Sequence, residues 1–191
     1  MKKLVFILLW ISFMSFDKAY GQNIEYDNGR TSFHYKEAHY AEFRYETSLI
    51  GVADSQEFYF MNFEVKLPLL LDDLICTTNI FRFFYKHNES IFISTPYLNS
   101  VLPEDAIYEP TFIEVFGLIN SLLVNDEGDI PQSTKILRKF DRLESMKKNR
   151  RNLVIVKNGI TIVLFNIKKE NLQQYQELVL SVKLIDAKVS D

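Results

Sequence analysis

The chain has 191 residues, with 22 Lys or Arg against 25 Asp or Glu and a net charge of −3. That mild acidity argues against a nucleic-acid partner, and six glycines are too few for the phosphate-cradling loops of dinucleotide- and nucleotide-binding folds. A single cysteine, Cys76, excludes an intramolecular disulfide framework.

The first residues read as an address. Lys2 and Lys3 precede an apolar run from Leu4 to Phe16, shorter than the ~20 residues a bilayer-spanning helix needs. Ala19 and Gly21 supply the small side chains of a signal-peptidase site, so cleavage is expected after Gly21. Residues 1–21 are thus a predicted signal peptide, and residues 22–191 one α+β domain with no transmembrane segment after cleavage. Export to a periplasm or extracellular space follows. The lack of disulfides favours the periplasm, and Cys76, which follows Leu74-Ile75, is expected to be buried as a small hydrophobe.

Residues 22–32 are polar and are expected to be loosely ordered. Residues 40–47 alternate, with Ala41, Phe43, Tyr45 and Thr47 on one side and Tyr40, Glu42, Arg44 and Glu46 on the other, the pattern of a half-buried strand. Residues 58–67 repeat it, with Tyr59, Met61, Phe63, Val65 and Leu67 inward and Asn62, Glu64 and Lys66 outward, until Pro68 ends the ladder. Phe58 and Phe60 fall on the polar side. Residues 69–78 fit a short helix or a loop. Ile80 to Tyr85 and Ile91 to Thr95 read as a hairpin turning through Lys86 to Ser90.

Thr111-Phe112-Ile113-Glu114 has the spacing of a capping box and opens a helix that runs to Val124. So apolar a helix is expected to be mostly buried. A second helix is predicted from Thr134 to Lys148. Then Leu153 to Val156 and Ile160 to Phe165 flank Asn158-Gly159, the signature of a type I′ hairpin, because both central residues of that turn need φ > 0. Leu172, Tyr175, Leu178, Val179 and Val182 follow at helical spacing and should lie back on that hairpin. The expected fold is an antiparallel β-sheet with helices packed on it, two or three layers thick, ending in a β-hairpin and a C-terminal helix.

Charge is the first lead to function. Residues 131–151 hold eight Lys or Arg against two Asp or Glu, whereas residues 22–130 hold six against eighteen. The basic set is Lys135, Arg138, Lys139, Arg142, Lys147, Lys148, Arg150 and Arg151. As a group it reads either as a solvated face or as a docking face for an anionic partner. His34, Glu37 and His39 are the nearest approach to a metal-ligand cluster, but strand spacing sends the two histidines to opposite faces. Glu104-Asp105 with Glu109, and Asp126-Glu127 with Asp129, are acidic loops. No G-x-S-x-G elbow is present.

The sequence therefore points to an exported, non-enzymatic binding or accessory protein without a cofactor or resident metal. Such a protein would be of immunity or inhibitor type, or part of an envelope complex, with another protein or an anionic envelope component as partner. Two alternatives stand beside it. One is a carboxylate- or metal-dependent hydrolase built on Glu37 and His39 or on the acidic loops. The other is a small-ligand binder using the aromatic face that bears Tyr40, Phe58 and Phe60.

Overall fold

The alternating stretches and the continuously apolar ones go to different sheets. In a computed structural model that describes residues 21–53, 56–77, 79–95, 103, 105–124 and 148–185, the chain is α+β and dominated by antiparallel strands. The first sheet has the order β1-β2-β3-β6-β13. Its strands are β1 (Asn23–Asp27), β2 (Thr31–Glu37), β3 (Ala41–Thr47), β6 (Phe63–Leu67) and β13 (Lys183–Leu184). The second sheet has the order β10-β11-β12-β9-β8-β7, from β7 (Leu71–Cys76), β8 (Ile80–Tyr85), β9 (Glu89–Ser94), β10 (Ile107–Tyr108), β11 (Arg150–Lys157) and β12 (Ile160–Lys168). A separate ribbon pairs β4 (Ile50–Ala53) with β5 (Gln56–Tyr59).

The two sheets face each other across an aromatic core. Phe43 of β3 lies 4.9 Å from Phe83 of β8, Tyr45 lies 4.5 Å from Phe81, and Phe63 of β6 lies 5.0 Å from Phe81 (ring centroids). Edge-to-face geometry in these pairs sets the positive ring edge of one against the negative face of the other. This is a sandwich, which corrects the expected single sheet carrying helices. The physical reason is that β7, β8, β9, β11 and β12 form a second sheet whose inner residues match the apolar face of the first.

The second sheet also has a covered outer face, where Phe84, Phe92, Val154, Val163 and Phe165 pack on Val115 and Ile119 of helix α1 (Phe112–Val124). The capping box forms as predicted. The Thr111 amide donates to Glu114 Oε2 at 2.7 Å, and the Glu114 amide donates to Thr111 Oγ1 at 3.3 Å. Over residues 112–119 burial of α1 is one-sided, however: Val115 and Ile119 are buried and Ile113 is 82% exposed. Helix α2 (Lys169–Val179) sends Tyr175 and Val179 into the inner core beside both sheets.

The terminal hairpin and helix match their sequence pattern. Asn158 (φ 53°) and Gly159 (φ 71°) make the turn between β11 and β12. Lys157 Nζ donates to the Leu180 carbonyl at 2.5 Å and Asn158 Nδ2 to the Val182 carbonyl at 3.3 Å, so the turn holds the end of α2.

Three expectations fail locally. Residues 22–32 are not loose: they supply β1 and the start of β2. Their turn is built by Asp27 Oδ1 accepting from the Gly29 amide (2.7 Å) and Asn28 Oδ1 accepting from the Arg30 and Thr31 amides (3.0 and 2.7 Å). Residues 71–76 are the edge strand β7, bulged between Leu71 and Asp73. The strand expected over 58–67 is broken. Asn62, expected outward, is 8% exposed at the break, and its Oδ1 accepts from the Thr47 amide at 2.8 Å.

Candidate functional site

The basic set divides. Lys135, Arg138, Lys139, Arg142 and Lys147 lie outside the described residues, as does nearly all of the helix predicted from Thr134 to Lys148. Lys148 stands in an exposed turn before β11. Arg150 and Arg151 belong to the strand itself, not to a helix. Arg151 donates to the carbonyls of Lys148 (3.2 Å) and Arg150 (2.8 Å), and its Nε lies 3.9 Å from Glu109 Oε2. Arg150 turns inward. Its side chain is 11% exposed, it donates to the Asn166 carbonyl at 2.9 Å, and its guanidinium lies 3.4 Å from Glu89. That placement removes Arg150 from any docking face, because a buried carboxylate requires it as counter-charge.

Glu89 is the hub of that region. It opens β9 directly after the 3₁₀ turn at Lys86–Asn88, and its side chain is 4% exposed. Oε1 accepts from the Lys168 amide (2.7 Å) and from Asn171 Nδ2 (3.2 Å), and Oε2 accepts from the Tyr175 hydroxyl (3.0 Å). Burial pushes the Tyr175 phenol well up, and the neighbouring Glu89 carboxylate adds to the effect. The Lys168 amide lies at the start of α2, whose first-turn amides lack intrahelical acceptors. Glu89 thus joins β9, β11 and α2. His87 (φ 64°), Asn88 (φ 59°) and Asn166 (φ 56°) hold left-handed conformations around it, with Asn166 Nδ2 donating to the Asn88 carbonyl at 2.9 Å.

Glu37 plays a matching part at the end of β2. Its Oε1 accepts from the Tyr35 hydroxyl (3.0 Å) and from the Leu70 and Leu71 amides (2.6 and 3.2 Å), and its Oε2 accepts from the Gln22 amide (3.4 Å). Leu70 has φ 64°, a conformation that residues other than Gly, Asn and Asp seldom adopt. The carboxylate clamps that turn. His39 is exposed in the β2–β3 turn. His34 lies 3.8 Å from Glu25 on the outer face of the first sheet. Among the described residues, no group of three or more His, Cys, Asp or Glu is arranged to hold a metal ion.

A pocket of about 110 Å³ lies where Asp72 and Asp73 of β7 approach His87 and Asn88. Asp105 and Glu109 are exposed, while Glu104 and residues 126–129 lie outside the described residues. Tyr40 is half-buried with Lys66 Nζ 4.3 Å above its ring, a cation–π contact. Cys76 is partly buried against the inner core, and burial pushes its thiol pKa up.

The spacing of the sequence singles out neither carboxylate as an anchor. Glu89 carries a weak signal as the only acid between the two apolar runs of its hairpin; its partners lie 61 to 86 positions away. Among the described residues, no helix is long and apolar enough to cross a membrane. No family model, curated protein or solved structure matches the chain.

Proposed function

We propose that the chain is an exported, non-enzymatic binding domain that recognises an acidic protein partner, with Lys135, Arg138, Lys139, Arg142, Lys147, Lys148 and Arg151 as the contacting set. The observation that carries this reading is the segregation of charge, with eight basic residues in 131–151 of an otherwise acidic chain. Concentrated charge of one sign steers association with a partner of the other sign.

The carboxylates support the non-enzymatic part. A general acid or base must direct an oxygen at its substrate, whereas Glu37 and Glu89 direct theirs at protein donors. The test is affinity capture of the tagged processed protein from its host's envelope, read by mass spectrometry at low and moderate salt. The expected result is one dominant acidic partner that weakens with salt and is lost from the Arg138→Glu, Lys139→Glu, Arg142→Glu triple variant. A partner retained by that variant refutes the assignment of the face.

A further inference from the structure

We propose that Glu37 is the receptor for a new chain terminus. Cleavage between Gly21 and Gln22 turns the Gln22 amide nitrogen into an α-ammonium, and the Glu37 carboxylate 3.4 Å away takes it as an ion pair. The proposal rests on the export reading and deepens it, since the cleavage is the hydrolysis of one peptide bond by a signal peptidase. Water is consumed, the Gly21 carboxylate leaves with the leader, and the freed Gln22 amine binds a proton near neutral pH.

Three observations place the two groups. Gln22 is held in register, because its carbonyl accepts from the Glu37 amide at 3.1 Å while its nitrogen points at the Glu37 side chain. Gly21 packs so closely on Glu37 that a Cβ there would run into the Glu37 carbonyl oxygen. In the unprocessed chain position 21 therefore needs glycine. Glu37 is also already the clamp of the Leu70 turn that leads into β7. The amide already makes a charge-assisted bond to the carboxylate; an ammonium in its place adds the attraction of two opposite charges. Processing would thereby tighten the junction between the first sheet and the edge of the second, leaving the leader-bearing chain looser than the exported one. Tyr35 and Tyr85 are the titratable groups that face Glu37.

An N-terminal Gln can cyclise, its amine attacking the side-chain carboxamide and expelling ammonia, so the test uses a Gln22→Ala chain. Residues 22–191 are compared with a free α-amine, with an acetylated one, and as the uncleaved 1–191 chain, at pH 6.5. The free-amine form should melt about 2–4 °C above the acetylated form, and its α-amine should titrate above the ordinary ~7.7–8.0. Both differences should vanish in Glu37→Gln, which keeps an acceptor for the Leu70 and Leu71 amides. The comparison of free with acetylated amine stands without that variant. Equal midpoints and an ordinary amine titration overturn the proposal. Peptide mapping of protein from the host's envelope should give residue 22 as the first. A different first residue overturns the proposal while leaving export intact, and recovery only from the cytosol refutes export itself.

Discussion

The two sheets share one aromatic core but meet water differently. In the first sheet, β3 and β6 alternate buried and accessible residues. The outer face there is a lattice of charge: Arg44 lies 2.7 Å from Glu46 and 3.6 Å from Glu64, and Lys183 lies 2.7 Å from Glu64. In the second sheet, β8 and β9 are buried at every position, and β12 at all but its last, because α1 covers the outer side. The difference teaches where function can reside. A face tiled with partnered charges is already soluble, and a face under a helix is inaccessible, so neither needs a ligand to complete it.

Breaking the covered face should have the largest effect. Phe165→Ala, which removes the ring packed 6.2 Å from Phe112, should cost about 3–5 kcal/mol in denaturant unfolding. The layer common to both sheets is tested by alkali. Burial raises the phenol pKa of Tyr45 to about 12 and drives those of Tyr35, Tyr85 and Tyr175 higher. These phenols keep their protons in the fold when the unfolded chain has lost them. Stability should therefore hold below pH ~10 and fall as pH rises beyond it. Absorbance at 295 nm should show the four ionising only with unfolding. Thr111→Ala should cost about 1 kcal/mol through loss of the α1 cap. Arg44→Ala on the open face should change stability by only about 0–1 kcal/mol, since exposed ion pairs are screened and entropically costly.

The same contrast explains what was legible in the sequence. Alternation in residues 41–47 and the Asn158-Gly159 turn announce their structures, because side-chain period and backbone φ are local properties. The helix after β12 was legible for the same reason. The second sheet was not, because apolar runs in β8 and β12 carry no mark of what covers each face. Residues 71–76 hid a strand because Asp72 and Asp73 sit at a bulge on a sheet edge, where period two breaks and charge blunts further pairing. The anchors were least visible of all. Glu37 drew notice as a candidate metal ligand, and Arg150 as part of a basic face. Their roles depend on partners such as Leu70, 33 positions away, and Glu89, 61 positions away, which local pattern does not reach.

The central claim is that the Glu37 and Glu89 carboxylates build the scaffold and the basic segment meets the partner, and thermal and denaturant unfolding of Glu89→Ala test it most directly. Removing Glu89 strands the Arg150 guanidinium, the Tyr175 hydroxyl and the Lys168 amide. The predicted loss is about 3–5 kcal/mol, with the Arg138→Glu, Lys139→Glu, Arg142→Glu variant unchanged beside it. A Glu89→Ala protein as stable as the parent, or more stable, would contradict the account, because a carboxylate held for function commonly costs the fold stability.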